Sequence, residues 1–217
     1  MITAKISSRN TSSQKAVNVA LQNIYINNMI DKKIIKILQN DGVGILPTDT
    51  LYGIVASAYS KKAVERIYKI KGRDENKPFI ILISSINDLE KFEIQHPYKL
   101  EFVRMLEKFW PGKVSVILPC SKYKYLHRGE NAIAFRLPNK KALIALLKKT
   151  GPLVAPSANP QGLMPASNIK EAKKYFGDKV NFYVAGGTLK SKPSTLIKIN
   201  KNGEIQVLRG TLKNNEK

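Results

Sequence analysis

Three short segments hold the residue types and spacings that can do chemistry. They are Leu46-Pro47-Thr48-Asp49-Thr50-Leu51-Tyr52-Gly53, Lys71-Gly72-Arg73 with Lys77 close behind, and Ser157-Ala158-Asn159. Lys71 and Arg73 carry the charge that neutralises phosphate, and a guanidinium can grip two oxygens at once. Thr50 and Ser157 add compact hydroxyls that both donate and accept. Small hydroxyls and cations at the ends of apolar runs suit a pocket for a nucleotide and a small polar substrate. Arg136 extends the set, because it ends the apolar run Ala132-Ile133-Ala134-Phe135. A cation in such a place must be solvated or paired, which fits a substrate carboxylate. Arg209 follows Ile205-Gln206-Val207-Leu208, where it either closes over a phosphate or caps a sheet edge. Each feature alone also has a structural explanation: a solvated basic turn for Lys71–Lys77, a Ser/Asn/Pro turn for Pro156–Asn159, a strand start for Ser194 and Thr195. The ordered co-occurrence carries the weight.

Other chemistries find little support. The chain has neither a Gly-x-x-x-x-Gly-Lys-Ser phosphate loop nor a Gly-x-Gly-x-x-Gly fingerprint. His96 and His127 fall in polar, loop-like surroundings, and both read as exposed residues rather than general bases, which argues against a Ser-His-Asp triad. The lone cysteine, Cys120, excludes an intramolecular disulfide and a multi-cysteine zinc site. No apolar run approaches the roughly 20 residues of a membrane-spanning helix. A cytoplasmic, membrane-free protein is expected. The formal net charge of +21 predicts attraction to polyanions, RNA and nucleotide phosphate first among them. A genome rich in Lys, Asn and Ile codons explains that charge equally well.

The elements that must position these residues follow from hydrophobic spacing. Ile34, Ile37 and Leu38 recur at helical intervals before Gly42, and Val43–Leu46 reads as a buried strand ending at Pro47. Lys61–Lys71, with Ala63, Ile67 and Ile70 on one face, reads as a helix that delivers Lys71 and Arg73 at its exit. Further strands are expected at Phe79–Ile83, Val114–Leu118, Ala132–Leu137, Leu153–Ala155, Phe182–Ala185, Ser194–Ile199 and Ile205–Leu208. Helices are expected at Asn87–Phe92, Leu100–Phe109, Lys140–Lys149 and Asn168–Tyr175. This alternation predicts an α/β (α+β) fold, a twisted mixed sheet flanked by helices, with ligands at strand ends. Residues 24–212 read as one domain, preceded by a basic extension over 1–23 and followed by a polar tail over 213–217. The extension's acid-free, Ser-containing start bears a faint likeness to a targeting segment, while Val17–Met29 reads as partly helical.

In order and in residue type, these segments resemble the threonylcarbamoyl-AMP synthase family of the YrdC/TsaC type. Lys71, Arg73, Ser157 and Asn159 match its paired Lys-x-Arg and Ser-x-Asn signature. Pro47–Gly53, Trp110-Pro111-Gly112, Ala134-Phe135-Arg136 and Pro193–Ile197 match further landmarks between about Asp31 and Thr211. The resemblance implies a YrdC-like domain in its short form, with a concave basic cleft. It also implies a reaction: L-threonine, bicarbonate and ATP give threonylcarbamoyl-AMP and pyrophosphate, the first step of tRNA threonylcarbamoyladenosine formation. By the same resemblance, Thr50, Arg136, Ser157 and Thr195 contact threonine. Lys71, Arg73, Lys77, Asn159, Ser167 and Arg209 serve ATP, with Lys71 and Arg73 as the catalytic cations. Mg2+ is expected to be held mainly by ATP phosphates, with Asp49 either an outer contact or a turn former. Partner enzymes of the transfer step and some tRNA affinity are implied as well. Two alternatives are a non-catalytic double-stranded RNA or tRNA binder, and a carbamoyl-transfer domain of a hydrogenase-maturation protein. The single cysteine disfavours the latter's zinc-finger region in this chain.

Overall fold

Asp31 caps the first described helix, its carboxylate accepting the Lys33 N–H at 2.7 Å. The computed structural model describes residues 31–94, 99–200 and 203–212. The expected extension over 1–23, its helix at Val17–Met29, His96 and the tail over 213–217 lie outside these residues.

In chain order the elements are α1 (Lys32–Gln39), β1 (Gly44–Pro47), β2 (Tyr52–Ser57), α2 (Lys61–Lys71), β3 (Ile81–Leu82), a 3-10 helix (Ile86–Phe92), α3 (Lys99–Glu107), β4 (Val114–Pro119) and α4 (Lys124–His127). There follow β5 (Ala132–Arg136), α5 (Lys141–Thr150), β6 (Leu153–Val154), α6 (Ile169–Phe176), a 3-10 turn (Gly177–Lys179), β7 (Phe182–Tyr183), β8 (Thr195–Ile199) and β9 (Ile205–Arg209). The strands form one mixed sheet in the order β7-β1-β2-β6-β3-β5-β4-β8-β9. Pairs β1/β7, β3/β5 and β4/β8 are parallel, and the other pairs are antiparallel. The mixed α/β fold expected from the sequence is therefore present.

One strand and one short helix were not expected. β2 follows β1 through a hairpin at Thr48–Leu51, which contains no Asn-Gly or Asp-Gly pair to announce it. Threonine hydroxyls organise the turn instead: Thr48 Oγ1 donates to the Leu51 carbonyl at 2.8 Å and accepts the Thr50 N–H at 3.1 Å. The unexpected α4 brings in His127, which is buried rather than exposed. Its Nδ1 accepts the N–H groups of Gly129 and Asn131 at 3.2 and 3.3 Å, so it organises the turn into β5. A local sequence rich in Lys, Tyr and Gly concealed this burial.

Side chains alternate across the sheet and build two apolar clusters. Leu46, Val55, Leu82 and Leu153 pack on one face with Leu38 of α1 and Leu143, Leu146 and Leu147 of α5. Ile45, Ile54, Ile81, Val116 and Phe135 belong to the larger cluster on the other face, with Val64 and Ile67 of α2 and Ala172 and Phe176 of α6. Leu82 is in register with Arg136, so Arg136 shares the face that α1 and α5 cover. Along β5, Ala132, Ala134 and Arg136 alternate with the buried Ile133 and Phe135 and therefore point to that face. There they line a cleft over the half of the sheet beyond α1 and α5.

Candidate active site

The cleft has a volume of about 510 Å3. Its floor comes from alternating residues of neighbouring strands: Ala132, Ala134 and Arg136 of β5, Ile117 of β4, and Leu196 and Lys198 of β8 with Ser194 just before it. Small alanines leave depth where larger residues would fill it. The β1–β2 turn contributes Thr48 and Thr50, the segment after β6 contributes Ser157, and Arg73 and Phe79 come from the chain leaving α2. Arg209, at the end of β9, completes the lining.

Arg136 is 4% exposed and held on several sides. Its guanidinium lies 3.2 Å from Asp49 Oδ1 and donates to Thr50 Oγ1 at 3.0 Å and Thr48 Oγ1 at 3.5 Å. Asp49 is itself placed by the Asn139 N–H, which its second oxygen accepts at 3.1 Å. Asp49 is thus the counter-ion of Arg136, a role that neither sequence alternative named. Lys140 fixes the same turn by donating to the carbonyls of Pro47 and Thr48 at 3.4 and 3.1 Å. Among the described residues Arg136 Nε has no hydrogen-bond partner. Burial lowers the proton affinity of Arg136, Asp49 opposes that shift, and Arg209 adds to it. A guanidinium under these influences still favours a further anion.

Two more guanidiniums share the cleft. Arg209 donates to the Ser194 carbonyl at 3.1 and 3.2 Å and to Ser194 Oγ at 3.3 Å. Ser194 Oγ is 2.9 Å from Ser115 Oγ in a fully buried hydroxyl pair, so β4, β8 and β9 jointly orient Arg209. Arg73 donates through Nε to the Lys77 carbonyl at 3.3 Å, and its charged centre lies 5.3 Å from the Phe79 ring centroid. Burial and then Arg73 lower the proton affinity of Arg209. Burial likewise lowers that of Arg73. Mutual repulsion of this kind is relieved by binding a polyanion.

Local sequence explains how Arg73 is delivered. Ser60 caps the start of α2 by accepting the Ala63 N–H at 3.0 Å. Gly72 ends the helix at φ 57, a left-handed conformation that favours glycine, and the chain turns so that Arg73 N–H bonds to the Tyr68 carbonyl at 3.1 Å. Lys71, the last helical residue, turns inward and is 3% exposed.

The cleft thus gathers Thr50, Arg73, Arg136, Ser157 and Arg209 from the residues expected at the site. The other five lie behind or beside it. Lys71 donates to the carbonyls of Ser157 and Asn159. Asn159 accepts from Ser157 Oγ at 2.6 Å and donates to the Pro160 and Leu163 carbonyls at 3.0 and 2.7 Å. Ser167 and Glu171 bond to each other at the start of α6. Thr195 Oγ1 donates to the Thr211 carbonyl at 2.9 Å, leaving its neighbour Ser194 to face the cleft. Lys77 forms an exposed pair with Asp74 at 3.4 Å. Sequence reasoning missed Thr48, Ser194 and the pairing role of Asp49. Period-two counting back from Leu196 and Lys198 is the signal that would have found Ser194.

Burial, and secondarily Arg73, push the Lys71 ammonium from 10.5 down to about 7. Between those values the unfolded chain holds a proton that the folded chain has lost, so stability rises with pH across that window. Above pH 10 the trend reverses, because burial raises the phenols of Tyr59 and Tyr125 and the folded state then holds the extra protons. Urea unfolding from pH 6.5 to 10 is expected to show the rise in the wild type and a flatter profile in Lys71→Met. Parallel profiles would remove Lys71 as its source.

An open mixed sheet with three guanidiniums gathered over its free face defines an α/β protein with a cationic cleft lining. The chain belongs to the Sua5/YciO/YrdC family, whose model, described as telomere recombination, matches residues 36–211. It is 32% identical over 186 residues to a putative threonylcarbamoyl-AMP synthase of Methanocaldococcus jannaschii, covering 83% of this chain and 87% of that protein. It is also 32% identical over 155 residues to the threonylcarbamoyl-AMP synthase of Bacillus subtilis, covering 70% of this chain but 44% of the relative. Among solved structures, Pyrococcus abyssi Sua5 complexed with L-threonine matches at a TM-score of 0.73 and 28% identity, over 81% of this chain and 52% of that one. The chain thus spans about half the length of the Bacillus and Pyrococcus proteins. The family resemblance read from the sequence is borne out.

Proposed function

We propose that this chain is an L-threonylcarbamoyladenylate synthase, joining L-threonine, bicarbonate or CO2, and ATP into threonylcarbamoyl-AMP and pyrophosphate. One observation carries the reading beyond family membership. A buried guanidinium set among hydroxyls, Arg136 with Thr48 and Thr50, shares one cleft with Arg73 and Arg209. A carboxylate receptor beside a phosphate receptor is what an amino-acid adenylation requires. The relatives' names and the threonine bound to the Pyrococcus protein support threonine as the amino acid.

In this reading Arg136 receives threonine's carboxylate, and the Thr50 and Ser157 hydroxyls hold its polar groups. Threonine's neutral amine adds to CO2, forming the N–C bond of a carbamate and releasing a proton. A carbamate oxygen then bonds to the α-phosphorus as the bond from that phosphorus to the bridging oxygen of pyrophosphate breaks. The transfer needs alignment and charge neutralisation more than a protein nucleophile. Arg73 and Arg209 supply positive charge on the nucleotide side. Among the described residues no group of three His, Cys, Asp or Glu forms a metal site, and Asp49 is committed to Arg136 and Asn139. That donor set fits Mg2+ carried by the triphosphate, where it would offset charge on the leaving pyrophosphate.

The product would feed partner enzymes that transfer threonylcarbamoyl to tRNA in the cytoplasm. No described helix is long and apolar enough to cross a membrane. Pyrophosphate release is expected to require both L-threonine and bicarbonate. The +21 charge favours a second reading, RNA binding without catalysis. No threonine-dependent release, together with steeply salt-sensitive RNA binding, would establish that alternative.

A further inference from the structure

Lys71 was expected to touch phosphate, yet its Nζ is already committed. Two N–H groups, present in the charged and the neutral form alike, meet the carbonyls of Ser157 and Asn159, the former at 2.5 Å. The side chain lies behind the cleft wall, whereas Arg73 stands in that wall. Two further bonds run along the same seam. Gln161 N–H donates to the Lys71 carbonyl at 2.8 Å, and Asp74 N–H donates to Gln161 Oε1 at 2.9 Å. The loop so held is the one that presents Ser157 to the cleft. Without that nitrogen between them, two convergent carbonyls would repel each other and lack their shared donor.

We propose that Lys71 is a positioning residue, whose terminal amino group ties the Ser157–Asn159 loop to the exit of α2 and so holds Ser157 in register with Arg73. The inference rests on the reading above, in which Ser157 serves threonine and Arg73 serves ATP. A lysine used this way makes the two substrate sites one mechanical unit. Asn159 takes part from the other side, accepting the Ser157 hydroxyl and donating to two carbonyls farther along the loop.

Calorimetric titration of L-threonine in the absence of any nucleotide separates this role from phosphate binding, because threonine carries no phosphate. Lys71→Met keeps the side chain's bulk and removes its donors. It is expected to weaken threonine binding at least about tenfold. Gln161→Ala loosens the same seam without altering Lys71 and is expected to weaken threonine binding about threefold, which keeps the idea testable should Lys71→Met fail to fold. Unchanged threonine affinity in a folded Lys71→Met, or in Gln161→Ala should Lys71→Met not fold, would overturn the positioning role. Absence of threonine binding by the wild type would instead overturn the functional reading on which it rests.

Discussion

Arg136→Ala is expected to raise the threonine KM by about 10² to 10³-fold, the usual scale for removing one member of a desolvated charge pair. The KM for ATP should move by less than about threefold, because Arg73 and Arg209 keep their own contacts. The substitution also strands Asp49, whose side chain is only 5% exposed. A loss of activity in Arg136→Ala alone therefore mixes recognition with stability. Adding Asp49→Asn removes the stranded charge, so the double variant should recover stability and still fail to use threonine. Equal losses toward threonine and ATP in that folded double variant would contradict the carboxylate role.

Asp49→Asn alone is expected to destabilise the ligand-free protein by about 3–5 kcal/mol, the cost of leaving a buried guanidinium without its counter-ion. The amide retains an oxygen for the Asn139 N–H, so the change removes charge more than geometry. Threonine then becomes the anion that Arg136 lacks. Its carboxylate should raise the melting temperature of Asp49→Asn more than that of the wild type. A smaller shift in the variant would mean that threonine's carboxylate is not received beside Asp49.

Sequence patterning disclosed the frame that carries these residues better than it disclosed their contacts. Val114–Leu118 and Ala132–Leu137 announced strands through β-branched and apolar runs, and β4 and β5 lie there. Lys61–Lys71 announced a helix through one apolar face, and it ends where glycine lets it end. β2 escaped because its hairpin is organised by threonine hydroxyls, a tertiary detail that turn statistics do not encode. At the site, residue type disclosed the cations but not their partners. Nothing local says that Asp49 meets Arg136, which lies 87 positions later by its number and becomes a neighbour only when β6 and β3 join β2 to β5 in one sheet. Gly72 announces where α2 ends, but that Lys71 turns inward while Arg73 turns out depends on what packs against the α2 face, which residue type does not encode.

The most direct measurement is the identity of the product. The protein should be incubated with ATP, L-threonine and 13C-bicarbonate, and the nucleotides analysed at once by mass spectrometry. The expected result is an AMP conjugate that contains both threonine and the labelled carbon, formed with one pyrophosphate for each conjugate. AMP and pyrophosphate without a conjugate, or threonyl-AMP without the labelled carbon, would contradict the carbamoylating reaction.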